Sequence, residues 1–171
     1  MNRKIGMIVL VVLMTAACES GSEGSSNDPW GLSDVPEPTT QEQVNVIFLG
    51  MPDEIDGMTA SHDDPDHVSF VDYTGDGTWA NIVWIEAGPD GSATIEFLDG
   101  IATIAEFTEV SSSLNADDTF VWLEGTAPGP DGDMYALWWG DPTDGWIFSV
   151  EADSLAHRDA VVDAFIASAE A

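Results

Sequence analysis

The first apolar pattern after the N-terminal run predicts a helix that begins near Thr39 and ends before Pro52. Thr39 and Thr40 each lie three residues before a Glu or Gln, which is the spacing of a capping box. Pro52 ends the helix because proline has no N–H for the helical ladder and disfavours a helical residue before it. The apolar residues after the cap keep the i, i+3, i+4, i+7 spacing of one helical stripe: Val44, Ile47, Phe48 and Met51.

From about Val68 the pattern changes to short runs rich in β-branched and aromatic residues, which predict strands. Turn sequences rich in Gly, Pro and Asp separate these runs. Because parallel neighbours would each need a long crossover, consecutive short strands favour an antiparallel meander. Residues 100–107 fit a helical turn capped by Asp99, which interrupts the series. The predicted strands lie at residues 68–73, 78–87, 93–97, 120–123, 134–139 and 146–150.

The last pattern predicts an amphipathic C-terminal helix capped by Asp153 or Ser154. Its apolar side consists of Leu155, Val161, Val162, Phe165 and Ile166. Its solvent-facing side consists mainly of His157, Arg158, Asp159 and Asp163. The expected fold class is α+β: an antiparallel β-meander sheet of five or six strands with N- and C-terminal helices packed on one face. We expect one such domain over residues 41–171, a size that buries about two-thirds of its unfolded surface.

The N-terminal 17 residues have the features of a secretory signal peptide. Arg3 and Lys4 precede an apolar run at residues 5–14, and small residues, Thr15-Ala16-Ala17, follow it. The run is too short to cross about 30 Å of hydrocarbon as a helix. Cys18 comes next and is the one cysteine of the chain, so it cannot form an internal disulfide.

In these residues the sequence resembles a bacterial lipoprotein precursor. The resemblance implies that the Cys18 sulfur receives a diacylglyceryl group and that removal of residues 1–17 leaves Cys18 as the acylated first residue. It covers the first 18 residues, and Thr15 stands where the family usually has Leu. Ordinary secretion is the alternative, because Thr15-Ala16-Ala17 also suits a general signal peptidase and would leave Cys18 as a free thiol.

Residues 18–40 contain a Ser/Gly-rich stretch and acidic residues and predict a flexible tether between this anchor and the domain. Two acyl chains hold a protein stably on a membrane, where one chain is marginal. The expected location is therefore the extracytoplasmic face of the cell membrane, and no cofactor is expected besides the diacylglyceryl modification of Cys18. The order of helix, meander and helix also resembles that of small actinobacterial lipoproteins, at the level of architecture alone.

The chain is strongly acidic, with 32 Asp and Glu against 3 Lys and Arg. Removal of residues 1–17 would leave Arg158 as the one Lys or Arg and a formal charge of −31. One cation cannot replace the counterions along phosphates, so nucleic acid is excluded as a partner. The acidity is either a surface that gathers cations or an adaptation that keeps a secreted domain hydrated in salt. The spread of carboxylates over every loop favours the second interpretation.

Residues 62–67 place two His and three Asp within six positions. Imidazole and carboxylate together suit zinc or another divalent ion, which makes His62, Asp64 and His67 candidate ligands. Pro65 and the loop composition favour a solvated turn over a metal site.

Trp138, Trp139 and Trp146 lie in two adjoining predicted strands. Because side chains alternate along a strand, Trp138 and Trp139 should point to opposite faces of the sheet. An exposed Trp among acids would stack on a sugar or anchor a partner protein. The three residues are therefore a candidate contact surface, although packing in the core or under a helix is the favoured interpretation.

The sequence carries no Gly-x-Ser-x-Gly elbow, His-Glu-x-x-His motif or phosphate-binding loop, and no Lys or Cys beyond residue 18. We therefore expect a non-enzymatic, lipid-anchored protein that acts as a binding, sensing or interaction module for an envelope protein or a small molecule. The alternative is an anchored hydrolase that uses carboxylates or a metal around His62 and His67.

Overall fold

The structure of the protein is a computed structural model that describes residues 28–36, 38–86, 95–114, 120–129, 132–141 and 146–171. The predicted signal peptide, Cys18 and the first part of the predicted tether lie outside these residues. No helix in the described ranges is both long and apolar enough to cross a membrane.

The described residues form an α+β fold with one antiparallel sheet, as expected, but the sheet has eight strands rather than five or six. The strands are β1 (Glu54–Ile55), β2 (Met58–His62), β3 (Phe70–Thr74), β4 (Trp79–Glu86), β5 (Thr108–Leu114), β6 (Val121–Pro128), β7 (Asp133–Asp141) and β8 (Trp146–Ala152). Their order in the sheet is β1-β2-β3-β4-β8-β7-β6-β5, so two antiparallel series meet where β4 pairs with β8. The helices are α1 (Gln41–Gly50), α2 (Ile95–Ile104) and α3 (Leu155–Ala169), preceded by a 3-10 helix (Leu32–Asp34).

The predicted caps of the N- and C-terminal helices of the domain are both present. The Thr40 hydroxyl accepts a hydrogen bond from the Gln43 backbone N–H, and the Gln43 side chain accepts one from the Thr39 N–H. The Ser154 hydroxyl accepts one from the His157 N–H at 3.2 Å. These bonds satisfy N–H groups that have no partner inside a helix, so they fix where α1 and α3 begin.

The two faces of the sheet carry separate apolar clusters. The larger cluster joins apolar side chains of α1 and α3 to alternate residues of β3, β4, β8 and β7, such as Val71, Ile82, Val150 and Leu137. The smaller one lies on the opposite face, where Leu98 and Ala102 of α2 pack on residues of β6 and β8. The central strand β8 is therefore covered on both sides along part of its length.

Residues 95–97 were predicted to be part of a strand and are helical instead. Leu98 and Ala102 are buried while Phe97 is exposed, so burial follows the i, i+4 spacing of a helix rather than alternation. The same helix contains Asp99, which was expected to cap a shorter turn. Strands β1, β2 and β5 were not predicted. β1 is two residues long, and most side chains of β2 and β5 are polar and exposed and show no apolar alternation.

The folded part of the chain begins well before residue 41. Residues 28–36, here called the N-terminal strap, lie within the predicted tether but pack on the domain. Leu32 and Val35 of the strap are buried in the larger cluster. The Asp28 carboxylate accepts hydrogen bonds from the backbone N–H groups of Trp30 and Ser33 and so holds the turn at its start.

Candidate functional site

The three candidate metal ligands lie at the exposed end of β2 and in the loop after it. His62, Asp64 and His67 are all exposed. The side chain of Asp64 accepts a hydrogen bond from the Asp66 N–H at 3.0 Å, and its carbonyl accepts one from the His67 N–H at 2.8 Å. Asp64 therefore shapes a turn. Within the described residues, no group of three or more His, Cys, Asp or Glu is placed to hold a metal ion.

Asp63 in the same loop is held by Ser69. Its carboxylate accepts hydrogen bonds from the Ser69 N–H at 3.0 Å and the Ser69 hydroxyl at 2.7 Å. Partial burial opposes ionisation of Asp63, but these bonds outweigh it and lower the pKa of the carboxyl. Asp63 is consequently a fixed negative charge beside the first residues of β3.

The three tryptophans of the predicted contact surface lie in different surroundings. Trp139 is 2% exposed and stacks on Phe148 with ring centroids 5.4 Å apart, and Trp146 packs edge-on against the same ring. Both belong to the cluster under α1 and α3. Trp138 points to the opposite face, is half-buried and packs beside the α2 cluster. Its indole N–H is buried and has no hydrogen-bond partner in the described part of the chain.

The face of the sheet opposite α1 and α3 carries a row of polar side chains that the sequence analysis did not identify. Strand register sets Asp72 of β3 opposite Asn81 of β4, and Asn81 opposite Glu151 of β8. These three residues are here called the carboxyl row. Each is half-buried, so each keeps part of its surface in contact with solvent.

A second row lies alongside the carboxyl row on the same face of the sheet, two residues away along each strand. It consists of Phe70, Val83, Ser149 and Trp138, in that order across β3, β4, β8 and β7. Phe70, Val83 and Trp138 are half-buried, whereas Ser149 is 3% exposed. The carboxyl row is therefore flanked along its length by a mainly apolar strip.

Burial makes the two acids of the row harder to ionise than ordinary carboxyls. Burial raises the pKa of Glu151, and burial together with the negative charge of Asp63 raises that of Asp72. Neither carboxylate has an ion-pair partner among the described residues. Asn81 Oδ1, between them, is buried and has no hydrogen-bond partner among the described residues.

Arg158 is the one Lys or Arg among the described residues, and it forms its ion pairs on the other face of the sheet. It was expected on the solvent-facing side of α3 and is instead 5% exposed. Its guanidinium bonds Glu124 at 3.0 Å and Asp159 at 2.8 Å, and its Cζ lies 5.5 Å from the ring centre of Trp30 in the strap. Cation–π and ion-pair contacts explain why a cation is tolerated there. No described Lys or Arg is left for the carboxyl row.

A second pairing of acid and imidazole occurs at the start of α3. His157 Nδ1 lies 2.5 Å from Asp153 Oδ1, and Asp153 Oδ2 accepts a hydrogen bond from the Trp79 N–H at 3.2 Å. Asp153 also lines a cavity of about 300 Å³ between the β3–β4 and β6–β7 turns. These contacts join the start of α3 to the sheet.

No protein-family model matches the chain, and no curated protein is significantly similar to it.

Proposed function

We propose that the protein is a lipid-anchored, extracytoplasmic binding module whose ligand surface is the face that carries the carboxyl row. The anchor is proposed from the signal-like N-terminus and the position of Cys18 directly after Ala16-Ala17. The binding role is proposed from the sheet face, because it gathers polar groups that the described chain leaves without partners.

One observation carries the binding proposal: among the described residues no cation pairs with the two carboxylates of the row and no donor reaches Asn81 Oδ1. Two carboxylates and the buried Asn81 Oδ1 face one surface, while Arg158 is paired on the opposite side of the sheet. A buried polar group without a partner costs about 1–3 kcal/mol, and more if it is charged. A ligand that brings N–H donors and positive charge would recover this cost.

The strap limits how far the anchor would hold the domain from the membrane. Asp28, the first described residue, follows Cys18 by ten residues. A random coil of that length has a root-mean-square span of about 17 Å, compared with about 25 Å for the longer tether expected from the sequence. We therefore propose that the module works close to the outer leaflet.

The anchor is tested in membranes of the native source. Intact-mass analysis should find a chain that begins at Cys18 and carries a diacylglyceryl group. Replacement Cys18→Ser should release the protein from the membrane fraction, whereas the neighbouring Ser20→Ala should not. An unmodified Cys18, or equal release of both variants, would remove the anchor from the proposal.

The binding surface is tested with tetralysine as a cationic probe and tetraserine as a neutral control. Calorimetry at low ionic strength should detect binding of tetralysine and no binding of tetraserine. The variants Asp72→Asn and Glu151→Gln should weaken tetralysine binding, whereas Asp163→Asn, an exposed acid on α3, should not. An equal loss of tetralysine affinity in all three variants would mean that the peptide is attracted by net charge alone. That result would refute the proposal of a specific binding surface.

A further inference from the structure

The carboxyl row spaces three acceptor side chains evenly across three neighbouring strands. Asp72 pairs with Asn81, and Asn81 pairs with Glu151, so the three side chains leave the same face of the sheet side by side. Neighbouring strands lie about 4.8 Å apart, which puts the outer two residues about 10 Å from each other. A ligand that engages all three must present donors at intervals of about 5 Å.

The middle residue of the row, Asn81, distinguishes the row from a simple cluster of acidic residues. Asn81 carries no charge, yet its Oδ1 is buried and no described residue forms a hydrogen bond to it. The adjacent Ser149 is 3% exposed. Buried polar atoms are paired in the great majority of cases, so Asn81 Oδ1 indicates a partner that is supplied from outside.

The strip beside the row favours an aliphatic ligand. Phe70 and Val83 offer apolar surface next to Asp72 and Asn81, and Trp138 lies two strands beyond Val83 in the same strip. Methylene groups gain from such contact, and an aromatic face attracts a neighbouring ammonium. A hydrated metal ion would gain from neither.

We propose that the carboxyl row binds a linear aliphatic triamine, with its outer ammonium groups on Asp72 and Glu151 and its middle nitrogen donating to Asn81 Oδ1. In spermidine, three or four methylenes separate successive nitrogens, which places them about 5–6 Å apart when extended, at about 1.25 Å per bond. This spacing matches the interval between strands. The inference rests on the proposed function and names the ligand class for that surface.

The test is calorimetric titration of the folded chain with spermidine and with 1,8-diaminooctane, which has the same length and lacks the middle nitrogen. We expect one spermidine per chain, and affinity that falls about tenfold in Glu151→Gln and in Asp72→Asn, as a charge-assisted hydrogen bond requires. The control Asp163→Asn removes the same charge from α3 and should change affinity by less than about twofold. Far-ultraviolet circular dichroism of each variant checks that it is folded.

The middle nitrogen gives a second and independent comparison. Spermidine carries one more positive charge than the diamine, so it should bind more tightly to both chains, and its advantage should be larger in the wild type than in Asn81→Leu. An equal advantage in the two chains would overturn the assignment of Asn81. Several weak sites, or equal loss in Asp163→Asn, would show attraction to the acidic surface alone.

Two other outcomes would exclude a triamine as the ligand. Both can be distinguished from a result that excludes the binding surface itself. If tetralysine binds and depends on Asp72 and Glu151 while spermidine does not, the surface stands and its ligand is a basic peptide. If Mg²⁺ at the same concentration displaces spermidine completely, the row is a site for a divalent cation.

Discussion

We predict that Leu32→Ala destabilises the protein by about 2.5–4 kcal/mol, because the N-terminal strap is part of the folded core. Leu32 is 3% exposed and belongs to the larger apolar cluster. The substitution removes three buried carbon atoms at about 0.8 kcal/mol each, and a cavity left by incomplete collapse adds to this. The loss of stability should appear in urea unfolding followed by tryptophan fluorescence, because Trp139 and Trp146 lie in the same cluster.

Leu49→Ala is the matched control, since Leu49 is 45% exposed on α1. It should change the free energy of unfolding by less than about 1 kcal/mol. If Leu32→Ala also changes it by less than about 0.5 kcal/mol, residues 28–36 are a free tether and the shorter distance to the membrane is wrong.

Three further predictions concern single side chains. Arg158→Leu should lower the free energy of unfolding by about 2 kcal/mol, less than for a fully buried pair because Glu124 is 31% exposed; Arg158→Lys should restore only part of it, because Lys lacks the guanidinium fork. If the two variants are equally stable, the fork plays no role. Burial and the charge of Asp53 raise the pKa of Tyr73 to about 12, so stability should fall as pH rises from about 10 to 12, and Tyr73→Phe should remove that fall; tyrosinate absorbance that reaches completion near pH 10 would contradict this. Burial raises the pKa of Glu151 in the folded chain above 4.5, so the folded state keeps the carboxyl protonated to a higher pH than the unfolded state does. The free energy of unfolding should therefore fall as pH rises from the unfolded-state pKa to the folded-state pKa. Glu151→Gln should make that fall shallower in urea midpoints, and a steeper fall would refute the burial argument.

Local sequence signals were sufficient for the helices at the two ends of the domain. The capping residues Thr40 and Ser154 and the apolar stripes they precede act within a few neighbouring residues, so they can be recognised along the chain. The polar strands β2 and β5 could not be recognised in this way, because sheet pairing holds them rather than their own apolar pattern.

The carboxyl row has no local signal at all. Asp72, Asn81 and Glu151 become neighbours only through the pairing of β3 with β4 and of β4 with β8, and Glu151 is seventy residues away from Asn81 in sequence. The burial of Arg158 was missed for the same reason, since Trp30 reaches it from a segment that was expected to be a tether.

The most direct measurement is a titration of the isotope-labelled chain with spermidine, followed residue by residue through its backbone amide NMR signals. If the carboxyl row is the binding surface, the largest shifts should occur at residues 70–73 of β3, 80–84 of β4 and 149–152 of β8, and they should saturate at one equivalent. Shifts confined to the loop at residues 62–67, or spread evenly over the acidic loops without saturation, would contradict it.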